Sequence, residues 1–482
     1  MNVTRRNVLL GTAALAAVGG AAVMVPMAMR PGTMAPSTSR ARPVAGQADL
    51  PPEADVVIVG AGIMGVATAF FLAEKGLSVV VCEKGGIACE QSSRAYGQVT
   101  NYGLPQEVVE LGQHSKSLWR AMNARIGRDT SYRDYGRVQA FQQDSEIEAA
   151  REWLAGAEAA APDHAPIRAR FVEGAELAEM LPGAQSDWKM GLYQDDDGGM
   201  EPALAAPAVA EAAIARGVAI VTDCAVRGYE TEAGAISHVV TEKGAIRTGA
   251  LVVAGGTWSR LLLGNAGIGF PVLPVYLSQQ RIGAVDGPPA CGAVGRVVWR
   301  KEVDGSYSNG PRFMTAPILR DSFALLPDFL PALPGMLMGD TPLDMALGAD
   351  LTRSFRVERQ WRLDEQTPFE RARIMAPTQN DGTLDESLGW LREEFPVFNQ
   401  ARVIERWAGT VDVARDQLPV IGPIRAVQGL FVMGGFTFGL TQGLGAGELM
   451  ADLVAGTAPA IGPNHFELER ITGGKAGRSR PA

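Results

Sequence analysis

Short apolar runs alternate with helix-like stretches from residue 55 onward, and the first of them form one unit. Val56-Val57-Ile58-Val59 is a continuous apolar run, as expected for a buried parallel strand. A helix is predicted from about Ile63 to Lys75, ending at Gly76, because glycine commonly follows a helix C-terminus. A second apolar run, Leu77 to Cys82, predicts the next strand. Together these segments predict a β-α-β unit of about 30 residues.

Similar alternating strand-like and helix-like patterns recur at about 200–260 and 403–456. Between these regions, Tyr132–Phe141 and Val297–Pro317 have the β-branched and aromatic content of strands. A chain of 482 residues is also too long for one ordinary core. We therefore predict a mixed α/β (α+β) fold, in which a discontinuous Rossmann-like domain is interleaved with a β-sheet substrate domain. The predicted segments are 54–105, 190–285 and 400–460 for the first domain, and 106–189 and 286–399 for the second.

An insertion at about residues 321–372 departs from this pattern. Its first part, Phe323 to Met338, is almost uncharged, whereas Arg353 to Arg373 is densely charged. A buried hairpin is one interpretation of the apolar part. The other is a hydrophobic lip resting on a membrane, because large apolar patches are rarely left exposed without a function.

The first 30 residues have the composition of an export signal or a membrane anchor. Arg5 and Arg6 precede an uncharged stretch from Val8 to Met29, and these roughly 22 residues suffice for a transmembrane helix, which needs about 20. The pattern is similar to a twin-arginine signal, with a Sec-type signal or a plain anchor as alternatives. Because no convincing A-x-A cleavage site follows, an uncleaved anchor is favoured. Residues 31–53, rich in Pro, Ser and Ala, are predicted to be a linker.

Composition and charge exclude several classes of function. A net charge of −9 argues against nucleic-acid binding, which needs a basic face. The four cysteines show no CxxC spacing and are predicted to be buried thiols. The chain also has only four histidines, so it offers few candidate residues for a metal site or a His-based catalytic triad. We expect no metal and no nucleic-acid partner.

The turn after the first predicted strand carries a dinucleotide-binding fingerprint, Gly60-Ala61-Gly62-Ile63-Met64-Gly65. Gly60 permits the tight turn, Gly62 the close approach of a pyrophosphate, and Gly65 close packing of helix on strand. The pyrophosphate would then lie at the positive end of the helix. Glu83 ends the second strand, where a carboxylate accepts both ribose hydroxyls and repels a 2′-phosphate. The motif therefore predicts a dinucleotide other than NADP.

Further segments favour FAD over NAD. The stretch from Lys84 to Gln98 is rich in small and hydroxylated residues, which suit a backbone passing close to a flavin. Gly217–Ile220 and Val226 predict a strand pair near an adenine, and Leu251–Val253 predicts a strand ending in small residues. A second glycine-rich helix start follows Phe438, and its positive end would stabilise a reduced flavin. The residues predicted to bind FAD are Gly60, Gly62, Ile63, Met64, Gly65, Glu83, Lys84, Gln91, Ser92, Ser93, Arg94, Gly97, Gln98, Val226, Ala254, Gly255, Gly256, Trp258, Gly439, Leu440 and Thr441.

The order of these motifs resembles the D-amino-acid-oxidase-like superfamily of glycine, sarcosine and D-amino-acid oxidases and dehydrogenases, over roughly residues 54–456. A closer resemblance is to the membrane-bound bacterial L-amino acid deaminases. Shared strings are the TRR-type start, EKGxIAxEQSSRxYGQ, TxYRxxGRV, VVTEKGxI, VVAGGxxSRL, SQQ and EFPxF. They begin here at Thr4, Glu83, Thr130, Val239, Val252, Ser278 and Glu394.

The resemblance implies FAD-dependent oxidation of an L-amino acid to its imino acid, which is hydrolysed to a 2-keto acid and ammonia. It also implies that electrons pass to the respiratory chain, through a quinone or a cytochrome b, and that the insertion contacts membrane lipid. The protein would then be held at the bacterial inner membrane with its catalytic body on the periplasmic side, as the positive charge before the apolar stretch also indicates. Because the flavin-facing motifs contain no Cys or His, we expect FAD to be bound non-covalently.

The resemblance also assigns catalytic positions. Arg312 matches the arginine that binds the substrate carboxylate, for which a planar guanidinium is well suited, and Gln98 matches an active-site glutamine. Phe438 stands where the deaminases carry a tryptophan. The full set is Arg312, Gln98, Phe438, Val411, Val413 and Gln280.

Two charged residues, Arg281 and Asp412, depart from the pattern of the deaminases, and either would favour a charged substrate if it pointed inward. One alternative function is a D-amino-acid or secondary-amine dehydrogenase or oxidase on the same fold. Another is an exported flavin-binding electron-transfer subunit without an amine site of its own.

Overall fold

The structure is a computed structural model that describes residues 39–289, 291–312, 314–332, 343–463 and 465–473. The anchor predicted at residues 1–30 lies outside the described residues, as does the start of the linker. Among the described helices, none combines the length and apolarity needed to cross a membrane. The described part of the linker lies against the body, with the Arg40 guanidinium 3.7 Å from the ring centre of Trp407 and Arg42 paired with Glu211 at 2.7 Å.

The described strands are β1 (Val56–Val59), β2 (Val79–Cys82), β3 (Gln98–Val99), β4 (Arg133–Asp134), β5 (Arg137–Phe141), β6 (Ala169–Val172), β7 (Met190–Gln194), β8 (Gly198–Gly199), β9 (Ala219–Val221), β10 (Val226–Glu232), β11 (Ala235–Thr241), β12 (Gly244–Arg247), β13 (Ala250–Val253), β14 (Val272–Ile282), β15 (Cys291–Val294), β16 (Val297–Lys301), β17 (Tyr307–Asn309), β18 (Met314–Pro317), β19 (Leu343–Ala346), β20 (Val403–Ala414), β21 (Val420–Pro423) and β22 (Leu430–Gly434).

The described α-helices are Ile63–Glu74, Gln91–Arg94, Val109–Ile126, Asp144–Ala160, Gly174–Met180, Pro202–Ile214, Ser259–Asn265, Arg320–Ala324, Leu326–Phe329, Ala349–Arg356, Pro368–Arg371, Asp381–Glu394, Gly439–Ala455 and Glu469–Thr472. Short 3₁₀ helices span Gln106–Val108, Gly256–Trp258 and Pro396–Gln400.

A six-stranded sheet in the order β21-β22-β13-β1-β2-β9 forms the nucleotide-binding layer. Its strands are parallel except for β21, which runs antiparallel to β22. Helices Ile63–Glu74 and Gly439–Ala455 pack closely, because Gly447 has no side chain where a Cβ would stand 2.5 Å from the Cβ of Ala67. The predicted β-α-β unit is present, with β1 as predicted and with the helix and β2 slightly shorter than predicted.

The second large sheet has the order β19-β18-β14-β17-β16-β15-β5-β7-β6, and β20 also pairs with β14. The long strands β14 and β20 are antiparallel, from Val272 opposite Ala414 to Ile282 opposite Val403. On one face of this sheet, Trp299 of the middle strand β16 is buried against Phe395, with edge-to-face rings whose centres are 5.2 Å apart. This sheet builds the substrate side of the molecule against the nucleotide-binding layer.

Two expectations about local structure are wrong. The segments near Gly217–Ile220 and at Val226 do not pair with each other, because β9 joins β2 in the large parallel sheet and β10 pairs with β11. The described part of the insertion is not a buried hairpin. It contains two short helices, in which Phe323 is 58% exposed, followed by Leu330 at 60%.

Candidate active site

A cavity of about 940 Å³ lies where the carboxyl ends of β1, β13 and β22 meet the inner face of the second sheet. Ligands of open α/β sheets commonly bind at this edge, beyond the ends of the parallel strands. Most residues predicted to bind FAD border the cavity, namely Gly60, Gly62, Ile63, Met64, Glu83, Lys84, Gln91, Ser92, Arg94, Gly97, Gln98, Val226, Ala254, Gly255, Gly256, Trp258, Gly439 and Leu440.

The glycine fingerprint is required by the backbone geometry. Gly60 has a φ of +98°, which a residue with a side chain rarely adopts, and a Cβ on Gly65 would stand 1.9 Å from the Gly60 carbonyl oxygen. Gly62 is the extended residue just before the helix. The helix N-terminus is thereby left open to the cavity, which suits a pyrophosphate.

Glu83 is fixed at the end of β2 by two backbone amides. Ala61 N donates to its Oε2 at 2.8 Å and Gly85 N donates to its Oε1 at 2.7 Å. Burial raises the pKa of this carboxyl, although the two amide donors oppose the shift. A carboxylate bordering the cavity beside the glycine turn can accept ribose hydroxyls, as predicted.

Three of the predicted FAD-binding residues lie behind the residues that line the cavity. Gly65, Ser93 and Thr441 do not border the cavity. The Ser93 hydroxyl donates to Glu90 O at 3.2 Å, and the Thr441 hydroxyl accepts from Thr100 N at 3.2 Å. These residues shape the backbone around the cavity and do not face it.

Gln98, Arg312, Val411 and Phe438, which are predicted to contact the substrate, also border this cavity, and the part of the cavity that they line is here called the substrate end. Gln98 Nε2 donates to Trp299 O at 3.0 Å, and Arg312 Nη1 donates to Gly295 O at 2.7 Å. Phe438, 36% exposed, immediately precedes the glycine-rich helix. An arginine and an amide beside an aromatic ring can bind the carboxylate and orient the side chain of a small amino acid.

Two residues predicted to be catalytic, Gln280 and Val413, do not border the cavity. Gln280 is fully buried outside the cavity, and its Nε2 donates to Asn309 Oδ1 at 3.0 Å and to Leu384 O at 2.8 Å. Successive side chains of a strand point to opposite faces, so it is Gln279 that borders the cavity. Val413 does not border the cavity either, and it is buried in a small cluster with Val275.

The two charged residues that depart from the deaminase pattern, Arg281 and Asp412, lie in different surroundings. Arg281 points away from this cavity and pairs with Asp304 at 2.6 Å. Asp412 borders the cavity and is only 5% exposed. Burial raises the pKa of Asp412 to about 7, although Thr257 and Arg260 oppose the shift. Its Oδ1 has no hydrogen-bond partner in the described part of the chain.

Sequence reasoning also missed a group at the side of the cavity. Arg137 and Gln139 on β5 border it together with Tyr102 and Trp153. Polar residues at alternating positions of the fully buried strand β5 are the signal that could have identified them.

The cavity fits FAD. The Glu83 carboxylate, a glycine turn in which a Cβ is excluded, and a helix N-terminus facing the same space form a cradle for a dinucleotide. The fold and the site therefore define a dinucleotide-dependent oxidoreductase with an amine or amino-acid site.

Comparison with known proteins supports this class. Residues 55–453 match the DAO family, described as FAD dependent oxidoreductase. The L-amino acid deaminase from Proteus myxofaciens, solved in complex with anthranilate, is 43% identical with a TM-score of 0.88, covering 92% of this chain and 99% of that chain. The L-amino acid deaminase from Proteus vulgaris is 41% identical with a TM-score of 0.85, covering 89% and 100%. A D-amino acid dehydrogenase from Rhodopseudomonas palustris is 24% identical over 87% of this chain and 99% of its own length.

The chain belongs to the DAO family of FAD-dependent oxidoreductases, and FAD is its cofactor.

Proposed function

We propose that the protein oxidatively deaminates an L-amino acid to the 2-keto acid and ammonia, and that its electrons pass to the membrane respiratory chain instead of O2. FAD-dependent oxidation of amino acids is the activity of its family neighbours, and the two Proteus deaminases are more than 40% identical over most of the chain. The observation that supports the proposal is that Arg312 and Gln98 both border the cavity that fits FAD.

The residues around the substrate end act mainly by orientation. Arg312 would bind the substrate carboxylate through its planar fork, which fixes the direction of the Cα–H bond. Gln98, whose side-chain amide donates to the Trp299 carbonyl, would restrict the orientations left to the bound substrate. Phe438 and Val411 exclude water from the apolar side. FAD, when bound, would supply the acceptor for the hydride equivalent that leaves the substrate Cα, while the amine loses a proton and becomes an imine.

Membrane association is part of the proposal. Phe323, Leu330 and Phe355 of the insertion are 58%, 60% and 57% exposed, and this apolar surface suits contact with lipid. A respiratory-chain acceptor, a quinone or a cytochrome b, would receive the electrons at this surface. We also propose a location at the bacterial inner membrane with the body on the periplasmic side, on the basis of the positive charge before the apolar N-terminal stretch.

The test is a panel of L- and D-amino acids and N-methyl amines, assayed with an artificial electron acceptor and with peroxide detection in parallel. We expect turnover of L-isomers, reduction of the dye and little peroxide. The similarity to a D-amino acid dehydrogenase supports a D-amino-acid or secondary-amine dehydrogenase or oxidase as the second candidate. Activity confined to D-isomers or N-methyl amines would select that candidate and refute ours.

A further inference from the structure

Beside the substrate end, the cavity extends into a space bordered by Tyr102, Leu104, Arg137, Gln139 and Trp153, here called the side lobe. Its walls are the loop after β3, strand β5 and helix Asp144–Ala160. The neighbouring lining residue Glu146 is exposed, which places the lobe next to solvent.

Arg137 is the charged residue on the inner wall of the side lobe. It is 6% exposed, and its Nη2 donates to Gln139 Oε1 at 3.0 Å. Its Nε and Nη1 have no hydrogen-bond partner within the described ranges. The guanidinium carbon lies 5.8 Å from the ring centre of Tyr102, a cation–π contact that offsets only part of the cost of burying the charge.

The buried carboxylates in this region are engaged by other cations. Lys116 Nζ lies 2.8 Å from Asp196 Oδ2 and 2.7 Å from Asp197 Oδ1, and all three side chains are buried. Arg137 forms no ion pair with a residue that the structure describes. A buried cation without a carboxylate partner is costly, and an anion entering from the cavity would remove that cost.

Strand register places the lobe beside the substrate end. Gln139 pairs with Ala293 of β15, and Ala293 pairs with Val298 of β16. Val298 borders the cavity and precedes Trp299, whose carbonyl accepts from Gln98. Gln139 and Val298 are therefore two strands apart, a distance of about 10 Å. A group held by Arg137 would therefore lie in reach of a ligand that extends from the substrate end.

We propose that the side lobe is a carboxylate-binding subsite, with Arg137 as the cation that binds the carboxylate and Gln139 as the residue that orients it. The carboxylate belongs either to the side chain of an acidic amino-acid substrate or to a separate molecule such as a 2-keto acid. The substrate source rests on the proposed function, whereas carboxylate binding by the lobe does not.

The first experiment measures binding to the oxidised holoprotein by calorimetry. Dicarboxylates of increasing length, from glutarate to suberate, are compared with their monoamides. A separate titration with acetate counts the carboxylate-binding sites per protein. If the carboxylate is part of the substrate, at least one dicarboxylate binds tenfold or more tightly than its monoamide, and Arg137→Gln abolishes the difference. If it is a separate molecule, acetate occupies two sites in the wild type and one in Arg137→Gln.

The second experiment compares kcat/KM for acidic amino acids and for their side-chain amides. If the carboxylate is part of the substrate, we expect Arg137→Gln to lower the acid-to-amide ratio at least tenfold while kcat/KM for apolar substrates changes less than twofold. Arg137→Lys should then be intermediate, because it keeps the charge without the planar fork. If the carboxylate is a separate molecule, the acid-to-amide ratio stays unchanged. Arg168→Gln, at an exposed position outside the cavity, is the matched control. Retained flavin absorbance and Tm show that each variant is folded.

The proposal is overturned if Arg137→Gln, folded and loaded with flavin, changes neither the preference for dicarboxylates nor the number of acetate sites. Absence of turnover with every amino acid would refute the deaminase function alone. The calorimetric result would still decide whether the side lobe binds a carboxylate.

Discussion

Burial of Asp412 makes a quantitative prediction about stability and pH. Its pKa in the folded protein is about 7, against an ordinary value of 3.8. Because each unit of pKa difference corresponds to about 1.4 kcal/mol, ionising this buried carboxyl costs at most about 4 kcal/mol of folding free energy. Replacement by Asn removes the ionisation and keeps the shape.

The direction with pH follows from the raised pKa. Below about pH 4 the carboxyl is protonated in both states, and Asp412→Asn should change stability little. Between about pH 4 and pH 7 the unfolded chain ionises first, so the wild type loses stability relative to the variant. Above pH 7 the advantage of Asp412→Asn reaches its full value.

The assay is chemical denaturation of the FAD-free protein at a series of pH values from 5 to 8.5, with the holoprotein in parallel. Asp195→Asn, at an exposed position, is the matched control and should stay within about 0.5 kcal/mol of wild type. If the gain of Asp412→Asn does not grow between pH 5 and pH 7, the carboxyl is not ionising in a buried site and the reasoning fails.

Three further predictions concern function. Arg312→Ala should lower kcat/KM by about 10- to 150-fold, the equivalent of about 1.5–3 kcal/mol for a hydrogen bond to a charged group, and unchanged dye reduction would refute the carboxylate anchor. Gly65→Ala places a Cβ 1.9 Å from the Gly60 carbonyl, so the purified protein should lose its flavin absorbance; full retention of FAD would contradict the close approach. Phe323→Ser combined with Leu330→Ser should reduce co-sedimentation with lipid vesicles while leaving dye reduction unchanged, and equal sedimentation would exclude these side chains from lipid contact.

The nucleotide-binding half could be predicted because its signals are local. Strand β1, the glycine turn and the following helix lie within about 20 residues, so the position of each one predicts where the next begins. Glu83 is found at the end of β2, in contact with Ala61 as the spacing requires. The same reasoning located the second glycine-rich helix start at Gly439.

The substrate side was harder to predict because it depends on pairing between distant strands. Gln279 and Gln280 are adjacent in one motif, and only the pairing of β14 with β20 decides which of them faces the cavity. Arg137 and Gln139 were missed for the same reason. Their alternation along β5 marks a polar face of the strand, but the space that this face borders depends on the position of β5 between β15 and β7, which the local sequence does not predict.

The close contact between helices Ile63–Glu74 and Gly439–Ala455 has a consequence for biosynthesis. These helices border one cofactor cavity, yet about three quarters of the chain lies between them in sequence. A ribosome-bound or truncated chain ending before β22 lacks the helix on one side of the cavity, and it also lacks β22, the strand that joins β21 to the rest of the six-stranded sheet. Flavin uptake therefore reports that synthesis has passed helix Gly439–Ala455, and the yellow colour of the protein distinguishes chains that contain this helix from chains interrupted before it.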